Sequence, residues 1–114
     1  MAPGEELAGL ERNLANTVYR ALQESLTNIA RHAHARNAWV VLAADDDGIR
    51  LEIEDDGRGI TAEDLAKSRS LGLKGMRERV SYVGGTLEVE RALRGGTRVT
   101  LRVPLNPRRE GTGA

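Results

Sequence analysis

Between Asn13 and His34 the apolar residues Leu14, Val18, Leu22, Leu26, Ile29 and Ala33 recur every three or four positions, the period of one helical face. Further along, the period drops to two. Ile49, Leu51 and Ile53 alternate with Arg50, Glu52 and Glu54, so a strand there carries one apolar and one charged face. A chain that switches period in this way must lay its helical stripe on its apolar sheet face. Two layers then share one core.

The rest of the chain extends that scheme. Ala38 to Ala44 reads as a strand before the one at 49–54, and Asp45-Asp46-Asp47-Gly48 reads as the hairpin turn between them, since Asp-Gly tolerates positive φ. Thr61 with Asp64 resembles a capping box, so a short helix is expected to start there, while Lys67 to Leu71 carries no pattern and is expected to be mobile. Leu73, Met76, Val80 and Val83 give a second helical stripe, stopped by Gly84-Gly85. Thr86 to Arg91 and Thr97 to Val103 form a second strand pair around a turn at 92–96. Val99, Leu101 and Val103 face inward there, and Pro104 closes the pair.

The expected fold is a two-layer α/β (α+β) sandwich with a mixed, mainly antiparallel sheet covered on one face by helices. Residues 1–10 read as an N-terminal lead-in with a loose start at 1–4, residues 11–105 as the single domain, and 106–114 as a disordered tail.

Composition then excludes several classes of function. With 17 Lys+Arg against 17 Asp+Glu there is no net field to draw nucleic acid or an anionic membrane. The lack of cysteine removes disulfides, thiolate metal sites and thiol nucleophiles, and it suits a reducing compartment. No apolar run approaches the ~20 residues of a membrane span, so a soluble, cytoplasmic chain without membrane contact is expected. Trp39, Tyr19 and Tyr82 are too few aromatics for a stacking platform on single-stranded nucleic acid.

Two cassettes carry chemistry. In Glu24-Ser25-Leu26-Thr27-Asn28-Ile29-Ala30-Arg31-His32, a regular helix places Glu24, Asn28 and Arg31 within a wedge of roughly 60° beside the apolar stripe. Asn28 can offer one oxygen to Mg²⁺, which keeps waters and takes phosphate oxygens for the rest. Glu24 can accept a proton or orient water, while Arg31 and His32 can neutralise phosphate. A solvated helix face would show the same residue types. In Asp55-Asp56-Gly57-Arg58-Gly59, glycines two apart let backbone approach a planar ligand. Asp55 at the strand end can accept from an exocyclic amine, which separates adenine from guanine, and Asp56 is read as a spacer. An ordinary Asp-Gly turn is the plainer reading.

Gly72 and Gly75, in Gly72-Leu73-Lys74-Gly75-Met76, stand where a loop becomes a helix. Backbone N–H groups and the helix dipole favour phosphate there, and Lys74 adds a cation. Gly95-Gly96-Thr97 reads first as a hairpin turn, with a Thr97 hydroxyl that could reach a base.

Together, and in this order, these motifs resemble the ATP-binding catalytic domain of bacterial sensor histidine kinases, of the wider GHKL (HATPase_c) group. Glu24 to Ala33 is similar to the N box, Asp55-x-Gly57-x-Gly59 to the first glycine box, and Gly72-Leu73-Lys74-Gly75-Met76 to the second. The run Gly72 to Val80, followed by Gly84-Gly85-Thr86, resembles the subfamily whose partners are NarL-type response regulators. The resemblance implies a Bergerat ATP-binding fold using ATP and Mg²⁺. It implies that Asn28 holds Mg²⁺, Glu24 acts near the γ-phosphate and Asp55 binds the adenine amino group. Arg31 and His32 would contact phosphates, and Gly57, Gly59, Gly72 and Gly75 would shape pocket and lid. Thr97 matches a threonine on the adenine side.

There are departures. With no phenylalanine the F box is missing, and the lid between Ile60 and Leu71 is short. The phosphorylated histidine of such kinases lies on a dimerising hairpin that neither His32 nor His34 belongs to. The expected function is therefore transfer of the γ-phosphate to a histidine on a separate dimerisation domain, with a response regulator further on and a membrane-anchored parent protein. The alternatives are an anti-sigma-factor-type serine kinase of the same fold, or a non-catalytic adenine-nucleotide-binding module.

Overall fold

The computed structural model describes residues 3–61, 63 and 72–104, with residues 3–11 and His32 described by backbone alone. The helix expected from Thr61, the mobile segment at 67–71 and the tail at 106–114 lie outside the described residues, wholly or for the most part.

Helix α1 runs Pro3–Asn28 and continues into a π-helical turn at Ile29–Ala33, so it starts about ten residues before the apolar stripe. Local propensity accounts for the early start. Pro3 suits the first helical position, and Glu5 and Glu6 favour the positive end of the helix dipole. At the other end His34 adopts the left-handed conformation, with φ of 53°, and turns the chain toward the sheet.

Strands β1 (Ala38–Ala44), β2 (Gly48–Asp55), β3 (Thr86–Arg91) and β4 (Thr97–Pro104) form one sheet in the order β1-β2-β4-β3, and α2 (Leu73–Tyr82) precedes β3. All three ladders are antiparallel, so the parallel pairing that a mixed sheet requires is absent among the described strands. Register stacks the core in rows. Leu51 lies opposite Leu101, which lies opposite Leu87, while Ile53, Val99 and Val89 make the next row. Leu51, Ile53, Leu101 and Val103 are almost fully buried. The α1 residues Leu14 and Ala21 and the α2 residues Leu73, Met76 and Val80 close over them. On the opposite face charges neutralise each other: Arg50 and Arg98 pair with Glu52, Arg98 also with Glu90, and Arg94 with Glu54.

Helix α2 ends as its glycines predict. The amides of Gly84 and Gly85 donate to the carbonyls of Ser81 and Val80 at 2.9 Å each, with Gly84 at φ of 79°.

The helical layer does not reach the edge strand. Val40 and Leu42 share a face with Ile53 and Leu51 by register, yet they stay 45% and 63% exposed. Leu26, counted in the apolar stripe of α1, is also exposed. Among the described residues no helix is long and apolar enough to cross a membrane.

Candidate functional site

The last residue of β2 decides where the site forms. Asp55 follows Leu51 and Ile53 on the inward face, so strand alternation drives a carboxylate into the core at 2% exposure. Its Oδ1 accepts the amide of Gly57 at 2.7 Å. Three glycine-bearing segments press around it. A Cβ on Gly57 would strike the carbonyl of Ala33 in the π-helical turn, and Arg58 donates its amide to that same carbonyl at 2.8 Å. Gly59 sits at φ of 77°, and a Cβ there would lie 2.5 Å from the carbonyl of Gly95. A Cβ on Gly96 would fall on the Asp55 carbonyl and 2.6 Å from its Oδ1. The hairpin turn at 92–96 therefore packs against Asp55. Gly96, which the sequence reading left as turn chemistry, packs on Asp55, and only that distant contact reveals it.

The adjacent acid does something other than space the motif. Asp56 Oδ1 accepts the amides of Arg36 and Asn37 at 2.9 Å each, and Oδ2 accepts Asn37 Nδ2 at 3.0 Å. These bonds, the Asn37 amide first, hold its carboxyl below the ordinary value of 3.8. Asp56 thus fastens the end of β2 to the loop between the π-helical turn and β1, which corrects its reading as a spacer.

Beside Asp55 opens a cleft with about 550 Å³ of empty volume, open solvent at its mouth included. Ile53, Ile60, Leu73, Val89 and Val99 are apolar residues of its lining. Ser25, Asn28, Asp55 and Thr97 supply its polar groups. Asn28 and Asp55, from separate elements, line this one cleft.

A second and wider opening of about 800 Å³ adjoins α1 at Glu24, bordered by Gly72, Lys74, Gly75, Glu78 and Arg79. Gly72 takes φ of 71°, and a Cβ there would collide with the Glu24 carboxylate. Glycine is required at that position on both counts. Gly75 differs: its nearest neighbour would be Arg79 Nη1 at 3.7 Å, so packing leaves room for a side chain. Helix α2 begins after Gly72 with no side-chain cap, so its first amides point outward unpaired by the helix itself.

Two expected residues, Arg31 and Gly57, border neither opening. Arg31 is exposed. The wedge that grouped it with Glu24 and Asn28 assumed regular α-helix, whereas the wider π-helical turn from Ile29 swings it away. His32 lies in that turn, and its backbone alone is described.

Among the described residues no three of His, Asp and Glu converge on a metal position. Mg²⁺ needs no such cage, because it dehydrates reluctantly and takes phosphate oxygens with one or two protein ligands. A carboxamide at the cleft wall fits that demand.

Known proteins share this architecture. The chain is 33% identical over 102 residues to the sensor histidine kinase LiaS of Bacillus subtilis, covering 90% of this chain and 28% of LiaS. It is 39% identical over 94 residues to the sensor histidine kinase YhcY of the same organism, covering 82% of this chain and 25% of YhcY. The chain thus spans about a quarter of the length of these curated relatives. The crystal structure of the ATP-binding domain of PrrB from Mycobacterium tuberculosis superposes with a TM-score of 0.67 at 25% identity, covering 78% of this chain and 67% of that one. A family model described as histidine kinase-, DNA gyrase B- and HSP90-like ATPase matches residues 13–107. That match spans the residues lining both openings, and the chain belongs to this ATPase family.

Proposed function

We propose that this chain is the ATP-binding catalytic domain of a two-component sensor histidine kinase, working on the cytoplasmic side of a membrane-anchored parent protein. One observation carries the reading: a buried carboxylate, Asp55, and a helix-borne carboxamide, Asn28, line one cleft that adjoins Glu24 and the unpaired start of α2. In this reading Asp55 accepts from the adenine amino group, Thr97 supports the base, and Gly59 lets backbone approach the ring. The α2 amides after Gly72, with Lys74, receive phosphate oxygens, and the open space at Gly75 lets them approach. Arg31, at the helix end, contributes charge at long range.

Mg²⁺, held by Asn28 and the phosphates, would offset the charge developing on the β- and γ-oxygens. A histidine on a separate dimerisation domain attacks the γ-phosphorus through a ring nitrogen. The bond to the β-bridging oxygen breaks, ADP leaves with that electron pair, and Glu24 accepts the imidazole proton. The phosphohistidine then supplies a response regulator, of NarL type by the sequence from Gly72 to Val80.

Calorimetry of ATP with and without Mg²⁺ tests the binding half. Asn28→Ala is expected to weaken Mg·ATP about tenfold, the worth of one charge-assisted contact, and metal-free ATP by less than twofold. Equal losses would remove Asn28 from the metal. Transfer of label from ATP to a helical histidine domain supplied in trans tests the chemical half. Transfer to a serine-bearing antagonist instead would make the chain an anti-sigma-factor-type kinase.

A further inference from the structure

Ser25 occupies the middle of the inward face of α1, in line with Leu14, Val18, Ala21 and Ile29. The helical stripe calls for an apolar residue there. The side chain is buried at 3% exposure, and its hydroxyl has no hydrogen-bond partner among the described residues. A serine inside a helix ordinarily relieves this by donating to a carbonyl three or four residues back, and this one does not. A buried hydroxyl without a partner destabilises the fold, because it has given up water and gained nothing. Ser25 also lines the cleft, together with Asp55 and Thr97. The missing partner therefore belongs to whatever the cleft holds.

We propose that Ser25 is a base-recognising residue whose hydroxyl serves the adenine ring nitrogen N1 while Asp55 serves the amino group beside it. This rests on the adenine reading of the cleft. Adenine offers a donor at its amino group and an acceptor at N1; guanine offers a carbonyl oxygen and an N1–H in the same places. Asp55 Oδ1 is committed to the Gly57 amide, so Oδ2 would serve the base as a pure acceptor. The hydroxyl beside it acts as the complementary donor. The pair reads two adjacent atoms, where Asp55 alone reads one. A hydroxyl that reaches N1 directly and one that reaches it through a single water depend on N1 in the same way.

The test is a binding cycle by calorimetry in Mg²⁺ buffer, with ADP and 1-deaza-ADP, which keeps the amino group but replaces N1 by C–H. The proteins are this chain and its Ser25→Ala variant. The unaltered chain is expected to bind 1-deaza-ADP about tenfold more weakly than ADP, the scale of one buried hydrogen bond. Ser25→Ala is expected to lose about tenfold toward ADP and then to treat both nucleotides alike. Its unliganded melting temperature should stay level or rise, since an unsatisfied hydroxyl has been removed. Losses that add in full, an undiminished ADP affinity, or a lower unliganded melting temperature each overturn the role of Ser25 and leave the adenine site standing. Failure of the unaltered chain to bind either nucleotide overturns the adenine site and Ser25 with it.

Discussion

At the Asp55 end of the cleft, backbone presses on backbone: Gly57 on Ala33, Gly59 on Gly95, and Gly96 on Asp55 itself. At the Glu24 end the opening is wider, Lys74 is exposed, and Gly75 has no neighbour closer than a flexible arginine tip. The contrast suits the chemistry proposed for each end. Telling one purine from another needs donors and acceptors fixed to a few tenths of an ångström, which buried backbone provides without losing side-chain entropy. Accepting a charged phosphate chain, and then admitting a second protein to it, needs an open mouth with mobile cations. On the proposed reading, rigidity lies where recognition would happen, and openness where the reaction would.

Four experiments break or sharpen that contrast, beginning with the largest effect. Glu24→Gln should leave ATP affinity within about twofold while phosphotransfer falls by roughly 10²- to 10⁴-fold, the range for a lost proton acceptor. Radiolabel transfer with parallel calorimetry separates the two, and a variant that still transfers at full rate would take Glu24 out of the chemistry.

Asp55→Asn should weaken ATP binding on the order of 100-fold, because a buried charged acceptor becomes a group that partly repels the amino hydrogens. Its circular dichroism should match the parent, since the swap conserves volume. Retained affinity would mean that the rigid end does not read the base.

The two glycines of the open end should part company in thermal melts. Gly72→Ala must hold alanine at positive φ and displace Glu24, for a loss of about 1–2 kcal/mol, or roughly 5–10 °C in a domain of this size. Gly75→Ala should gain about 0.5–1 kcal/mol, as alanine normally does over glycine inside a helix, and still bind nucleotide less well. If both variants melt alike, the openness at Gly75 has no functional meaning.

The smallest effect concerns the fastening behind the rigid end. The carboxyl of Asp56 titrates lower in the folded chain than its ordinary value of 3.8, so its contribution is fully present above that pH and is lost as pH falls through the folded-state value. Urea unfolding of the parent and of Asp56→Ala should therefore differ at pH 6, and the gap should shrink as pH falls below 3.8. A gap that persists in acid would mean that something other than the ionised carboxylate ties Asn37 to β2.

Most of the fold was legible because its signals are local. The strand at 86–91 has its expected bounds, the one at 97–103 extends by a single residue, and the α2 stripe and its Gly84-Gly85 stop follow from period and turn chemistry. The π-helical turn was not legible. Nothing in Ile29-Ala30-Arg31-His32-Ala33 departs from ordinary helix, and the extra width is set by Ala33 meeting Gly57 and Arg58. The site divides along the same line. Residues with distinctive chemistry, such as Asn28 and Asp55, could be named in advance, whereas Gly96, Asp56 and Ser25 look like a turn, a spacer and a small helical residue.

By itself the sequence determined the elements, their order and the side chains capable of holding a nucleotide, since periodicity, capping and turn preference act within a few residues. The tertiary structure alone decided that Gly72 leaves space for Glu24, that Gly96 walls in Asp55, and that the Ser25 hydroxyl is buried without a partner. Each of these is a contact between segments far apart in the chain. Such contacts are chosen when helix and sheet close on one core, and no local preference carries that information.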